Sequence, residues 1–301
     1  MRWLVVFLIL ARVGYSDIVT DVRAASAKGD FLLGDSLVNS YRGQRGVTPE
    51  MLEALSWLAR GALELKQLDR AEGYARETET QAGAQLKRHA LDSDPHLAIA
   101  LGAAIEVQAQ VLALRGARNE AVALLRKDLL TYGRTSLRAR IQKNINVLSL
   151  EGKPAPPLDE REYLGTKPVP LAALQGKPVL LFFWAHWCGD CKGEEPLLAQ
   201  LRREYSAKGL AIIAPTQRYG YVGGGQDATP AQELQYIEAV RQHFYADLLD
   251  VPAPVSEENF KLYGASTTPT VVLIDRRGIV RLYHPGAMRM DELRAALNSV
   301  L

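Results

Sequence analysis

Residues 182–196 read FFWAHWCGDCKGEEP and hold Cys188 and Cys191, the only two cysteines in a chain of 301 residues. A structural disulfide works mainly by closing a long loop of the unfolded chain, and a pair separated by two residues closes almost none. A zinc site needs a second cluster of cysteines or closely spaced histidines, and the sequence has neither. Reversible redox chemistry remains, in which one thiolate attacks a disulfide and its neighbour, one turn on, resolves the mixed disulfide. Two buried, inert thiols are the alternative. The flanks favour chemistry: PVLLFFW before the cysteines is an unbroken apolar run, as expected of a strand buried on both faces, and a helix is predicted over 188–208.

Working outward, the chain predicts a strand over 210–214, a helix over 256–263 and a strand over 270–275. A turn at Arg276-Arg277-Gly278, a strand over 279–283 and a helix from Asp291 follow. This order is that of a compact α/β domain. Within the long intervening segment, Thr229 and Gln232 bracket Pro230 as a capping box, which starts a helix over 230–245. Gly223 to Gly225 lack the Lys-Ser/Thr continuation of a phosphate loop and read as a flexible loop beside the cysteines.

Residues 17–150 have a different grammar, rich in alanine and leucine with apolar positions recurring at three and four, and predict an all-helical domain. One hairpin begins at Pro49 and turns at Gln67; another begins at Pro95 and turns at Gly116. Small residues such as Ala59, Ala71, Ala109 and Ala121 fall where packed helices approach closely, and the two pairs resemble tetratricopeptide repeats. The spacing from Ala71 to Ala121 exceeds the ~34-residue period of such repeats, so a plain bundle stays open. Stacked hairpins would offer a concave surface to a partner protein. At 151, EGKPAPPL ends helical periodicity and reads either as a linker or as the start of the second domain, 151–301. Residues 1–16 have the order of parts of a secretory signal, and predict export to a compartment where disulfides persist; an uncleaved membrane anchor is the alternative. Lys and Arg number 36 against 34 Asp and Glu, with no basic face, so nucleic acid is not the implied partner.

FFWAHWCGDCK followed about eighty residues later by STTPTVVLIDRRGIV resembles the thioredoxin fold. The GKPAPPL opening, the ALQGKPVLLFFWAHWC approach and the CKGEEP continuation are more specifically similar to TlpA/ResA-type extracytoplasmic thiol-disulfide oxidoreductases, over about 152–301. The resemblance implies that Cys188 is the attacking nucleophile at a helix N-terminus and Cys191 the resolving thiol, with no cofactor and no metal. It implies that Trp187 and the backbone of Thr268 form the substrate platform and that Pro269 follows a cis peptide bond. Many thioredoxins carry a buried acid six residues before the first cysteine, but Phe182 stands there. In TlpA/ResA-type proteins a glutamate three residues after the second cysteine handles its proton, and Glu194 matches; a solvated helix surface is the competing reading. Gly189 and Asp190 would tune the potential, Asp190 disfavouring the thiolate by like charge. A protonated His186 would offset this, whereas a packed or exposed histidine would not, and His186 with the two cysteines would make only a poor copper site. The implied partners are a disulfide- or thiol-bearing exported protein, with apocytochrome thiols one family possibility, and an upstream thiol donor. A helical binding scaffold with an accessory redox domain, and a thiol peroxidase, are the other function classes.

Overall fold

The computed structural model describes residues 17–300, so the segment read as an export signal lies outside the described residues. The described residues divide into two compact units between Val111 and Leu112.

In the first unit, Asp17, Asp30 and Thr48 cap α1 (Ile18–Ala27), α2 (Phe31–Arg45) and α3 (Pro49–Glu64), each side chain accepting from an amide of the first turn. Then come α4 (Leu68–Gln85) and α5 (Pro95–Leu114), which runs past the division. Helix α3 packs against α1, α2 and α4, and Leu52, Ala54, Leu58, Ala59 and Ala62 are wholly buried along it. The α1–α3 approach is close: a Cβ on Gly61 would fall 2.1 Å from Ser26 Oγ. Helix α5 is long and apolar enough to cross a membrane by length and composition, but Leu97, Leu101 and Ile105 are core residues.

The second unit opens with α6 (Arg118–Tyr132) and α7 (Arg138–Ser149). Its strands are β1 (Tyr163–Leu164), β2 (Val179–Phe183), β3 (Ala211–Ile213), β4 (Tyr221–Val222), β5 (Gln226–Asp227), β6 (Ala253–Pro254), β7 (Thr270–Ile274) and β8 (Val280–Pro285). Its remaining helices are α8 (Gly189–Gly193), α9 (Glu195–Tyr205), α10 (Pro230–Phe244), α11 (Glu257–Tyr263) and α12 (Met290–Asn298). The central sheet has the order β3-β2-β7-β8, parallel between β2 and β3 and antiparallel elsewhere. Every residue of β2 is buried, because both faces of the sheet are covered. Leu180 and Phe182 join Leu198 and Leu201 of α9, Ile237 of α10 and Leu293 of α12. Val179, Leu181 and Phe183 join Phe260 and Tyr263 of α11. Each such side chain contributes about 1.5–3 kcal/mol on burial, which explains why the run carries no polar residue.

Two local readings are corrected, and one left with two outcomes is decided. The helix expected over 188–208 breaks at Glu194, since Pro196 supplies no N–H and begins a new first turn; α8 and α9 are separate helices, and a short 3-10 turn covers 206–208. Gly223 to Gly225 join β4 to β5 in a small hairpin rather than a flexible loop, with Gly224 and Gly225 at positive φ. Residues 152–155 run antiparallel along β8: Gly152 N donates to Val280 O at 2.8 Å, Val280 N to Lys153 O at 2.9 Å, and Ala155 N to Gly278 O at 2.9 Å. That stretch is therefore part of the second unit, not a linker. Helix α7 also belongs with the sheet, packing on α11 and β8. Asn146 Nδ2 donates to Tyr263 O at 2.8 Å. Gly264, at φ +61, lies so near that a Cβ there would sit 2.2 Å from the Lys143 amide nitrogen.

Candidate active site

Strand β2 ends at Phe183, opposite Thr270, the first residue of β7. This register brings the turn after β2 and the turn before β7 to the same end of the sheet. The first turn is fixed by Trp184, whose amide donates to Pro215 O at 3.1 Å and whose Nε1 donates to Ala214 O at 3.0 Å. Thr216 Oγ1 donates to Trp184 O at 2.9 Å. The second turn holds the cis peptide between Thr268 and Pro269.

Cys188 caps α8 and Cys191 lies one turn in, and the two form a disulfide with Cα atoms 5.3 Å apart. Both are buried. The Cys191 amide points at Cys188 Sγ at 3.0 Å, so a thiolate on Cys188 would be held by a local N–H rather than by a long helix dipole, α8 being only five residues. Gly189 and Asp190 are exposed in the first turn of α8. Trp187 is 48% exposed, standing edge-to-face on Tyr219 at 5.5 Å.

Glu194, at the junction of α8 and α9, is 7% exposed. Burial holds its pKa above the ordinary carboxylate range, and the Met288 amide, which donates to Oε1 at 2.9 Å, only partly offsets this. Oε2 is buried without a hydrogen-bond partner among the described residues. It is therefore not a solvated helix surface. It is a buried carboxyl, one turn past Cys191, with an oxygen free to carry a proton.

His186 is neither exposed nor set up as a cation. It is 1% exposed, its Nε2 lies 3.2 Å from Glu233 Oε1, and the rings of Tyr219, Tyr221 and Tyr236 stand edge-on around it at 5.6, 5.4 and 5.3 Å. Burial pushes its pKa down despite Glu233, favouring the neutral imidazole. Glu233 also accepts from Tyr219 N at 2.5 Å and Gly220 N at 2.8 Å. Sequence reasoning passed over this carboxylate and the three tyrosines. The available signal was position: Glu233 shares the buried stripe of α10 with Ile237, Val240 and Arg241, where an unpartnered acid would be costly.

The thioredoxin-like domain family matches residues 169–301. Over 132 residues the chain is 33% identical to the thiol-disulfide oxidoreductase ResA of Oceanobacillus iheyensis, covering 44% of this chain and 62% of that protein. It is 30% identical to the thioredoxin-like protein YneN of Bacillus subtilis, covering 49% of this chain and 79% of that protein. It is 31% identical to the thiol:disulfide interchange protein DsbE of Xylella fastidiosa, covering 51% of this chain and 70% of that protein. The chain thus spans a little under two thirds of the ResA protein, and the family match over 169–301 holds both cysteines.

Proposed function

From the premise that this chain belongs to the thioredoxin-like thiol-disulfide oxidoreductases, we propose that it reduces or exchanges disulfides of exported proteins through Cys188 and Cys191. The observation that carries the reading is the Cys188–Cys191 disulfide itself, closed at the helix cap with the Cys191 amide aimed at Cys188 Sγ.

In the reducing direction the Cys188 thiolate attacks one sulfur of the substrate disulfide. The substrate S–S bond breaks, a Cys188–substrate bond forms, and the departing substrate thiolate takes a proton. Glu194 accepts the proton of Cys191, whose thiolate then attacks Cys188 Sγ, closing the protein disulfide and releasing the second substrate thiol. Two electrons have passed from protein to substrate, so an upstream dithiol donor must reopen the pair. Trp187 and the backbone of Thr268 hold the extended substrate beside the sulfurs, and Gly189 and Asp190 adjust the potential. Export to the periplasm, with an uncleaved anchor as the variant, and apocytochrome thiols as one client belong to the same proposal. So does a protein partner on the helical unit, a reading supported by Leu32 and Leu33, exposed on α2.

Insulin-disulfide reduction with dithiothreitol as donor tests the core of it. Wild type is expected to be active and Cys188→Ser inactive; a wild type inert with several dithiol donors would overturn the proposal.

A further inference from the structure

Helix α11 ends at Tyr263, Gly264 caps it at φ +61, and residues 264–267 lead from there to the cis bond between Thr268 and Pro269. This short path is tied throughout. Ala265 N donates to Phe260 O at 2.9 Å and Ser266 N to Gly264 O at 2.8 Å, Thr270 Oγ1 donates to Thr267 O at 2.6 Å, and Gly286 N donates to Pro269 O at 2.7 Å. Where the Thr268 backbone stands therefore follows from where the last turn of α11 is held. The carbonyls of a last helical turn have no partner inside the helix, and here they are met from outside. Asn146 of α7 donates from Nδ2 to Tyr263 O at 2.8 Å and reaches Leu262 O at 3.5 Å, while the Tyr283 hydroxyl donates to Tyr263 O at 2.7 Å and lies 3.2 Å from Gly264 O. Asn146 is buried, and its Oδ1 accepts from Gln142 Nε2 at 2.8 Å, which fixes how the amide is turned. The α7 backbone itself touches the cap: a Cβ on Gly264 would lie 2.6 Å from the Gln142 carbonyl carbon.

We propose that α7, which lies outside the matched residues 169–301, is a brace for the turn that receives the substrate chain, and that Asn146 is its positioning residue. The inference rests on the disulfide-exchange reading above. Asn146 acts through Tyr263 O on Thr268 rather than on the reacting atoms. The other side of the site is held separately, since Trp184 anchors the cysteine turn to Pro215 O and Ala214 O. That division has a chemical consequence. A polypeptide disulfide must meet Cys188 and the Thr268 backbone at once, because its own N–H and C=O groups need partners as it docks, whereas a small aromatic disulfide meets only the sulfur. Misplacing one of two converging groups by about 1 Å costs up to about a hundredfold in rate. Loosening the brace should therefore slow exchange with peptides and spare exchange with small disulfides. Leucine shares the branched heavy-atom skeleton of asparagine but has no N–H to give, so Asn146→Leu removes the bond to Tyr263 O and keeps the site filled.

The test uses the full-length protein, reduced, and two probes that release the same coloured thiolate: dithiobis(nitrobenzoate), and an extended peptide whose single cysteine is capped with thionitrobenzoate. With either probe the Cys188 thiolate attacks the disulfide, its S–S bond breaks, a mixed disulfide forms on Cys188 and thionitrobenzoate leaves. The readout is the peptide-to-small ratio of first-attack rates, in which any general loss of thiolate cancels. Asn146→Leu is expected to lower the ratio about tenfold, with the small-disulfide rate within about twofold of wild type. Tyr283→Phe takes the second donor from the same carbonyl and keeps the ring, and should lower the ratio as well. Ile141→Ala truncates a buried apolar side chain of α7; it should lower the thermal midpoint yet leave the ratio alone. A folded Asn146→Leu with an unchanged ratio, or an Ile141→Ala that lowers the ratio as much, would overturn the positioning role while leaving disulfide exchange intact. If Asn146→Leu does not fold, Tyr283→Phe decides in its place by the same criterion. A wild type inert to both probes would remove the exchange reading and the brace with it.

Discussion

Replacing Glu233 by glutamine keeps the shape of the side chain but removes one of its two acceptor oxygens. In the native protein Oε1 takes the Tyr219 amide and faces His186 Nε2, while Oε2 takes the Gly220 amide. Whichever way the new amide is turned, an NH2 group must face a backbone N–H. Its imidazole neighbour can adapt by changing tautomer; the backbone cannot. A broken buried hydrogen bond costs about 1–3 kcal/mol, and bonds to a carboxylate lie at the upper end. Relief from burying a charge offsets part of this. The net loss should be about 2 kcal/mol, which at a urea dependence of about 2 kcal/mol per M lowers the midpoint of the second unit by about 1 M. Because Tyr219 carries Trp187, the defect should also be local: trypsin should nick Glu233→Gln at Arg218 well before the wild type. Urea denaturation followed by circular dichroism, with limited trypsin digestion in parallel, measures both. A midpoint within about 0.2 M of wild type, together with unchanged nicking, would refute the claim that Glu233 anchors this segment.

Glu194→Gln should leave the first attack by Cys188 intact but slow resolution of the mixed disulfide about a hundredfold at neutral pH, recovering as pH rises and Cys191 ionises unaided; quenched-flow trapping measures it, with Glu195→Gln as control. The same variant carries a pH signature in stability. Burial raises the Glu194 pKa above its ordinary 4.5, so its stabilising contribution is full below that value and is lost as pH rises through the folded pKa. Wild type should therefore lose ground to Glu194→Gln in urea titrations run at increasing pH, and the opposite trend would show that the carboxylate is not buried at a cost. Cys191→Ser should accumulate a covalent adduct with a disulfide-bearing peptide, visible by mass, whereas Cys188→Ser should form none. Gly264→Ala combines a left-handed backbone with a Cβ 2.2 Å from the Lys143 amide nitrogen and should cost about 3 kcal/mol, read as a lowered thermal midpoint of the second unit.

The cysteine turn and the sheet around it were legible because their causes are local. An apolar run ending at the cysteines reads as a doubly covered strand, and Thr-Pro before a second such run took its meaning from the family resemblance; that the two strands are antiparallel neighbours came from the fold. Glu194 was legible as a position, but only the fold buries it and leaves Oε2 unpaired. The break at Glu194 could have been read from Pro196, which cannot continue the hydrogen-bond ladder of α8; the apolar periodicity of α9 hid it. The partnership of His186 with Glu233 joins residues 47 positions apart, and no period or spacing announces such a contact. The same holds for α7: its helical pattern is plain, but that it packs on α11 and β8 depends on Asn146 meeting Tyr263, and Lys143 meeting Gly264, across more than a hundred residues.

The stretch from Gly152 to Ala155 lies along β8, and prolines at 154, 156 and 157 follow one another there. A proline lacks the amide that a further strand would need, so this border of the sheet is closed to strand addition. At the opposite border β3 has only three residues, and the chain just beyond it pairs with 252–256: Ala214 N donates to Pro252 O at 2.8 Å and Ser256 N to Thr216 O at 3.0 Å. A free sheet edge is a template on which strands of other chains add and aggregate. Here one border is sealed by a proline-rich stretch and the other ends in a strand too short to template a long one.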